Sequence, residues 1–167
     1  SAEGCDVVFH CLGLPPDLFE LHIPTTRASA AALKSSGARG VLVSSYWVYG
    51  PSRGNPVSEG APRHPHSRYE KIRVQQEEIF RSAGGTVALL PDFYGPEAEI
   101  GFVNPALRAF LDGKSANWIG PLDEERELIY VPDAAVPLVR LAEKREAAGE
   151  SVNVPGPGTI TPRRLLK

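Results

Sequence analysis

The amino-acid sequence predicts an α/β protein built on a parallel sheet, and two observations carry this prediction. Almost continuous apolar residues occur at 5–12, 41–45 and 86–90, as expected of strands that are covered on both faces of a parallel sheet. Sequences of helical composition lie between them, at 25–36 and 67–83. Alternating strands and helices indicate a parallel sheet, because parallel strands are usually joined by crossover helices.

The helices of the first half have recognisable ends. Gly37 is expected to end the helix at 25–36, since glycine commonly follows the last turn of a helix. A polar loop rich in proline and glycine follows at 50–66. The second helix, from Ser67, has apolar residues at positions 69, 72, 79 and 80, and we expect Gly84 and Gly85 to close it.

The second half of the chain is predicted to be less regular. Residues 97–125 are rich in glycine, proline and asparagine and predict a mixed segment. A strand is expected at 127–131, and Asp133 is expected to cap the helix that follows it. Pro137 lies inside that helix and should kink it. A short last strand is predicted at 151–156.

Composition excludes several classes of protein. Lys and Arg number 18 against 20 Asp and Glu, for a net charge of -2, so the chain lacks the basic character typical of proteins that bind nucleic acid or anionic membranes. It has neither an apolar run of membrane-spanning length nor the pattern of a signal peptide at its start. Cys5 and Cys11 lie on one predicted strand, roughly 20 Å apart, which is too far for a disulfide. A reduced, cytoplasmic protein is the simplest interpretation.

Polar or small residues follow the predicted strands where ligands of parallel sheets bind. Ser44 and Ser45 end the second strand, Cys11, Leu12 and Gly13 follow the first, and the segment 91–94 follows the third. Ligands of open parallel sheets lie beyond the carboxyl ends of the strands. Gly13 would let a flat ligand approach the backbone closely. We therefore expect these three strand ends to form one crevice.

A second pair of residues suggests acid/base chemistry. Tyr69 and Arg73 are four residues apart and therefore share one face of the predicted helix. A free tyrosine has a pKa of about 10, and a cation fixed beside a phenol favours the phenolate. A serine hydroxyl that donates to the same substrate oxygen would complete an acid/base site. Ser45, Tyr69 and Arg73 are thus the predicted catalytic residues.

Several segments, in order, carry a family resemblance: "DVVFHCLG", "VLVSSYWVYG", "SRYEKIR", "LLPDFYGP", "RELIYVPDAAVPLV" and "VNVPGPG". Together they resemble the extended short-chain dehydrogenase/reductase superfamily, in its NAD-dependent epimerase/dehydratase family, over essentially the whole chain. Each segment alone is weakly specific, whereas their joint order is distinctive. The resemblance implies a partial Rossmann-like, doubly wound sheet with helices on both faces, plus a small mixed region on the substrate side.

The resemblance also implies roles for individual residues. Ser45 would orient the substrate oxygen, Tyr69 would be the general acid/base, and Arg73 stands where the family has lysine. NAD or NADP would be the cofactor, and a homodimer would form through the helices at 25–36 and 67–83. The implied cofactor contacts are Cys11, Leu12, Gly13, Ser44, Pro91 and Phe93, and the implied substrate contacts are Asn104 and Arg126.

The chain departs from the family pattern in two respects. Arginine keeps the positive charge of the family's lysine but not its compact ammonium group. The family's glycine-rich turn, Gly-x-x-Gly-x-x-Gly, does not occur in the sequence. We therefore expect the chain to be cut at both ends, with 1–96 as the catalytic half of a Rossmann-type domain and 97–167 as a mixed substrate-binding region. The strand at 5–12 would then be an exposed apolar edge, prone to pairing or aggregation.

Structural roles remain open beside the functional ones. Ser44 and Ser45 could satisfy a turn, Tyr69 could be an amphipathic core residue, and Arg73 could pair with Glu70 or Glu77 at the surface. Arg126 could form a surface salt bridge, and Asn104 could cap a helix. His64 and His66 are a weak metal signal without a third ligand.

Three hypotheses of function follow from the sequence. The first is an NAD(P)-dependent oxidoreductase, epimerase or dehydratase that acts at a hydroxyl or carbonyl carbon, for example of a sugar nucleotide. The second is a non-catalytic dinucleotide-binding or regulatory relative, and the third is an inactive fragment. The sequence names neither the substrate nor the choice between NAD and NADP.

Overall fold

A computed structural model describes residues 4–51 and 56–167 and confirms the α/β prediction. The chain divides into two compact units, one of residues 1–90 with 137–154 and the other of residues 91–136 with 155–167. The sequence analysis divided the chain by function, into a catalytic part at 1–96 and a substrate-binding part at 97–167. That functional division stays a prediction.

The described residues form seven strands and five α-helices. The strands are β1 (Val7–His10), β2 (Arg39–Ser45), β3 (Thr86–Leu90), β4 (Asp92–Tyr94), β5 (Arg126–Tyr130), β6 (Ser151–Asn153) and β7 (Thr159–Ile160). The α-helices are α1 (His22–Ser36), α2 (Arg68–Arg81), α3 (Val103–Leu111), α4 (Val131–Glu143) and α5 (Pro162–Leu165). Short 3-10 helices cover Pro16–Leu21, Tyr46–Tyr49 and Arg145–Ala147.

The first unit contains a parallel sheet in the order β1-β2-β3-β6. Helices α1 and α2 pack against each other and against this sheet. Gly40 of β2 permits the close approach, because a Cβ atom there would clash with Leu33 of α1 and lie 3.0 Å from the ring of Phe80 of α2. The core between the layers contains Leu33, Leu42, Val48, Tyr49, Phe80, Val87 and Leu89.

Strand β1 differs from the prediction of a fully covered strand. It is shorter than 5–12, and it lies at the edge of the sheet, as expected from the family resemblance. Val7 and Val8 are half-buried, and Phe9 is 42% exposed. Because an edge strand has a neighbour on one side only, apolar continuity in the sequence does not ensure that its side chains are covered.

Helix α1 begins at His22, earlier than the predicted residue 25. It has no side-chain cap, because the 3-10 helix Pro16–Leu21 runs directly into it and Leu21 is already helical. Gly37 ends the helix as predicted, in the left-handed conformation with φ 71°. The early start places His22 in the first turn of α1, where it is fully buried.

The second unit contains β4 parallel to β5, and β7 antiparallel to β5. Helix α3 lies inside the segment that was predicted to be mixed. The predicted cap at Asp133 is wrong, because α4 begins at Val131 and Asp133 lies in its first turn. A carboxylate there is still favourable, since it faces the positive end of the helix dipole. Pro137 lies within α4.

No helix in residues 4–51 or 56–167 combines the length and the apolar character that a bilayer span requires.

Candidate functional site

The carboxyl ends of three parallel strands lie along one edge of the sheet in the first unit. Ser45, the last residue of β2, is in register with Leu90, the last residue of β3. His10, the last residue of β1, is in register with Leu42, so β1 ends earlier than its neighbour. Cys11, Leu12 and Gly13 continue from β1 at this edge. The ends of β1, β2 and β3 therefore lie side by side on one sheet, and a ligand crevice at this edge stays a prediction.

Ser45 ends β2 and caps the 3-10 helix Tyr46–Tyr49. Its Oγ accepts a hydrogen bond from the backbone N–H of Trp47, at 3.3 Å. The predicted turn role of this serine is thus present. A hydroxyl that accepts through its oxygen retains its own proton for donation, so the turn role leaves the catalytic role available.

Ser44 precedes it and is also buried, at 4% exposure. Its Oγ is enclosed and has no hydrogen-bond partner among the described residues. Successive side chains of a strand point to opposite faces, so Ser44 and Ser45 face different sides of the sheet. Burying an unpaired hydroxyl costs free energy, which makes Ser44 a candidate to hydrogen-bond a ligand.

The Tyr69 ring contacts both an aromatic ring and a cation. Its ring centroid is 5.5 Å from that of Phe19, in the 3-10 helix before α1. The Arg73 guanidinium carbon lies 5.0 Å from the Tyr69 centroid, within the range of a cation–π contact. The two predicted catalytic residues of α2 therefore touch each other, and Phe19 is a further member of this cluster that the sequence did not indicate.

Arg73 is buried, at 8% exposure, so its predicted alternative as a surface residue is wrong. Its Nη1 donates to Gln76 Oε1 at 3.1 Å, and a longer contact of 3.5 Å reaches the carbonyl of Val43. Its Nε is enclosed without a partner in the described part of the chain. Glu77, one of the two carboxylates proposed to pair with it, binds Arg63 instead.

Glu70, the other proposed partner, belongs to the start of α2. It forms a capping box with Ser67, and its Oε2 also accepts from the backbone N–H of His66 at 2.5 Å. Burial alone would raise the pKa of Glu70, but these backbone hydrogen bonds hold it below its usual value. The cap fixes the first turn of α2, which carries Tyr69.

The loop before Tyr69 is anchored by a half-buried ion pair. Arg63 donates to both carboxylate oxygens of Glu77, at 3.1 and 2.5 Å, and its guanidinium lies 4.6 Å from the Tyr49 ring centroid. Ser151 of β6 donates to the same carboxylate at 2.6 Å. Glu77 thus joins the loop, α2 and the sheet.

We expect Glu77→Gln to lower the free energy of unfolding by about 2 kcal/mol, because the amide cannot accept through both terminal atoms and Arg63 loses its counter-charge. The midpoint of urea unfolding measures this change. Glu78→Gln is the matched control, since Glu78 is the exposed neighbour on the same helix. Equal midpoints for the two variants would contradict the anchoring role.

His22 lies in the interior beside this cluster. It is fully buried, and neither ring nitrogen has a partner among the residues described. Its ring centroid is 5.9 Å from that of Phe19. Burial, and then the charges of Arg73 and His10, lower the pKa of His22 to about 4. The imidazole is therefore neutral at pH 7.

The remaining predicted site residues belong to the second unit. Asn104 of α3 is 8% exposed, accepts from the backbone N–H of Gly95 at 3.1 Å and donates to its carbonyl at 2.6 Å. This bidentate contact fixes the turn after β4, so a role of Asn104 toward substrate stays a prediction. Arg126 is half-buried at the start of β5 and lies against Gly120. Pro91 is buried and Phe93, within β4, is half-buried.

Neither the two cysteines nor the histidines form a metal centre within the described ranges. No group of three His, Cys, Asp or Glu side chains there is able to hold an ion. Cys5 and Cys11 are both free and exposed. His66 Nδ1 is 2.8 Å from the carbonyl of His64, which ties the two residues together within the loop.

Sequence reasoning missed Phe19, His22, Thr26 and Gln76. The signal for Gln76 was present, because residues 69, 73, 76, 77 and 80 lie on one face of a helix. Polar residues on that face suggested exposure, whereas Arg73, Gln76 and Glu77 are all buried. Phe19 and His22 lie far from Tyr69 in sequence, and only the fold brings them to it.

Comparisons with known proteins agree with this architecture. The family model described as "NAD dependent epimerase/dehydratase family" matches residues 1–155. No curated protein sequence matches the chain. Among solved structures, the chain is similar to a double mutant of a dTDP-glucose 4,6-dehydratase from Streptomyces venezuelae with NAD bound, at 20% identity and a TM-score of 0.86. The alignment covers 99% of this chain and 56% of that one.

Two further structures are similar. One is a dTDP-glucose 4,6-dehydratase from Bacillus anthracis with NAD, at 19% identity and TM-score 0.84, covering 96% of this chain and 55% of that one. The other is a UDP-glucuronic acid 4-epimerase mutant from Bacillus cereus with NAD and a fluorinated substrate analogue, at 20% identity and TM-score 0.84, covering 96% and 57%. The chain thus spans a little over half the length of these structures. Their likeness shows the fold, and the family match over residues 1–155 shows that the chain belongs to the NAD-dependent epimerase/dehydratase family.

Proposed function

We propose that the protein is an NAD(P)-dependent enzyme of the epimerase, dehydratase or reductase type that acts at a hydroxyl or carbonyl carbon of a sugar nucleotide. The observation that carries this proposal is the buried Arg73 guanidinium placed over the ring of Tyr69, in a chain of this family. A tyrosine with a fixed cation is the residue pair that proton transfer to or from a substrate hydroxyl needs.

The residues at the sheet edge fit one part of a dinucleotide. Ser44 Oγ and Arg73 Nε are buried polar atoms without a partner in the described residues, and ribose hydroxyls would satisfy both. The glycine-rich turn that holds a pyrophosphate in the family is absent from this sequence, so these residues account for the ribose and nicotinamide end alone. When bound, the nicotinamide takes up and returns a hydride at the reacting carbon.

The chain's own residues would supply the proton chemistry. The Tyr69 phenolate oxygen would take the proton from the substrate hydroxyl as the carbon is oxidised, and return it on reduction. Ser45 Oγ, which accepts from Trp47, would donate its proton in a hydrogen bond to the same substrate oxygen. Arg73 would stabilise the negative charge on the phenolate. General acid/base catalysis of this kind is worth about 10²–10⁴ in rate.

A sugar nucleotide is the substrate class that the similar structures favour. Three of them are named as enzymes of dTDP-glucose or UDP-glucuronic acid. We expect the chain to bind NADH, measured by the change in its fluorescence, and to convert at least one UDP- or dTDP-hexose in the presence of NAD. Chromatography would detect an epimer, and mass spectrometry would detect loss of water. A chain that binds neither NAD nor NADP would contradict this proposal.

A second candidate is a non-catalytic dinucleotide-binding relative. The specific observation in its favour is that arginine replaces the expected lysine and that its Nη1 is already bonded to Gln76. This candidate predicts NAD binding without turnover of any sugar nucleotide. Turnover of any nucleotide sugar by the parent chain would therefore reject this candidate.

A homodimer through the outer faces of α1 and α2 remains part of the proposal. Ala28 and Ala31 are exposed on one face of α1, where small residues permit close approach. A groove of about 370 Å³ lies between the two helices, with Phe19, Ile23 and Ile72 among its lining residues. A cytoplasmic location also remains a proposal, consistent with two free cysteines.

We expect Ala31→Arg to convert the dimer to a monomer, because a long charged side chain cannot pack between opposed helices. Light scattering coupled to size-exclusion chromatography measures the mass. The control is Ala135→Arg, an exposed alanine of α4, which should leave the mass unchanged. A monomeric parent chain would contradict the dimer directly.

A further inference from the structure

The face of α2 that carries Tyr69 and Arg73 continues into a buried polar network. We propose that Gln76, oriented by Thr26, is a positioning residue that holds the Arg73 guanidinium over the Tyr69 ring. Its importance for turnover rests on the function proposed above, whereas the geometry itself can be tested without any activity.

The Arg73 side chain needs a contact that fixes the orientation of its guanidinium. A guanidinium on a long side chain has several rotamers, and no ion pair fixes Arg73 in the ranges that the structure describes. Gln76 Oε1 is the side-chain atom that accepts from Arg73 Nη1, at 3.1 Å. Gln76 itself has no exposed surface. Packing therefore holds its Oε1 in place, and water does not compete with Oε1 for the hydrogen bond from Arg73.

The orientation of the Gln76 amide follows from its second contact. Gln76 Nε2 lies 2.6 Å from Thr26 Oγ1 of α1. Thr26 Oγ1 donates its only proton to the carbonyl of His22, at 2.7 Å, so toward Gln76 it can only accept. The NH₂ group of Gln76 must therefore face Thr26, and its oxygen must face Arg73. A flipped amide would place donor against donor at the guanidinium.

Thr26 is in turn held by the end of strand β1. His10 Nε2 lies 3.5 Å from Thr26 Oγ1, and His10 Nδ1 lies 2.9 Å from Ser29 Oγ. Because Thr26 has already donated its proton, His10 Nε2 is the atom that can donate toward it, and in a neutral ring with that tautomer Nδ1 accepts from the Ser29 hydroxyl. His10 is neutral in this arrangement, and burial and the charge of Arg73 both lower its pKa.

Arginine at position 73 is thus matched to glutamine at position 76. The planar guanidinium can place one nitrogen on Gln76 while its face covers the Tyr69 ring, because its donors are arranged in a rigid fork. A lysine ammonium is a point charge without a planar face. It cannot make both contacts with the same geometry, so Arg73→Lys should disrupt this arrangement.

The test is an NMR measurement of the arginine side-chain N–H signals. A guanidinium over an aromatic face gives an Nε–H proton signal shifted upfield by the ring current, and its disappearance in Arg73→Lys assigns it. We expect Gln76→Leu, of similar volume, to remove most of that upfield shift. Thr26→Val, which keeps the shape of the side chain, should reduce it. Gln76→Glu keeps an acceptor toward Arg73 and should largely retain it.

Gln75→Leu is the matched control, because Gln75 is the exposed neighbour on the same helix. An unchanged Arg73 signal in both Gln76→Leu and Thr26→Val, with dispersed amide spectra that show folded chains, would overturn the proposal. If Gln76→Leu does not fold, Thr26→Val alone decides it. The positioning role and the proposed function can fail separately. If Gln76→Leu and Thr26→Val lose the Arg73 signal while Tyr69→Phe keeps full turnover, the positioning role is upheld and the proposed function is rejected.

Discussion

Tyr69→Phe is expected to lower turnover of the sugar nucleotide by about 10³-fold, the middle of the range for general acid/base catalysis. The phenyl ring keeps the tilted ring contact with Phe19 and the contact with Arg73, so the fold and the affinity for NADH should be retained. The loss should fall on kcat, because the hydroxyl acts on the proton that moves in the reaction. Steady-state kinetics with a saturating dinucleotide measures this effect.

Tyr130→Phe provides the control for removing a phenol hydroxyl. The Tyr130 ring packs at a tilt against that of Tyr94 in the second unit, with ring centroids 5.4 Å apart, and no catalytic role is proposed for it. We expect its kcat to match that of the parent chain. Turnover that is unchanged in Tyr69→Phe would end the catalytic proposal, whatever the dinucleotide affinity proves to be.

The second large effect is a loss of stability in acid that depends on His22. Its pKa in the folded chain is lowered to about 4, whereas an unfolded histidine titrates near 6.5. Between these values the unfolded state binds more protons, so the free energy of unfolding rises with pH. The chain should therefore lose on the order of 3 kcal/mol through this residue as the pH falls from about 7 to 4.

His22→Leu should remove most of that pH dependence. At pH 7 its stability should equal or exceed that of the parent chain, because the change also removes two buried nitrogens without partners in the described residues. Urea unfolding at several pH values measures both effects. The free energy of unfolding of His22→Leu should still depend weakly on pH, because the pKa of His10 is also lowered.

Ile23→Leu controls for a change of packing in the same turn of α1. It should move the whole curve of stability against pH without changing its slope, since no titrating group is altered. A slope in His22→Leu equal to that of the parent chain would show that another group causes the acid loss.

The sequence predicted those features whose causes are local. The apolar runs of β2 and β3 and the glycine after α1 act within a few residues, and these elements were found where expected. Helix α3 was missed because Pro105 and Asn104 suggested a loop, although proline is tolerated in the first turn of a helix. Its buried residues Val103 and Ala106 show the helical spacing that should have indicated it.

The site was predictable only in part, for a physical reason. Tyr69 and Arg73 are neighbours on one helix, so their contact follows from spacing. The contacts with Phe19, Thr26 and His10 depend on how α1, α2 and β1 pack, and no local pattern encodes them. Gln76 and Glu77 are polar, and polarity predicts exposure unless partners are known. Here Thr26, Arg63 and Ser151 are those partners.

The central claim is that the phenol of Tyr69 and the hydroxyl of Ser45 act on one substrate oxygen at the edge of the parallel sheet. A crystal structure of the chain with NAD and a nucleotide sugar tests it most directly. We predict a sugar oxygen within hydrogen-bond distance of both Tyr69 Oη and Ser45 Oγ, with the nicotinamide ribose beside Arg73. Tyr69 Oη and Ser45 Oγ opening onto different surfaces of the molecule would contradict the account.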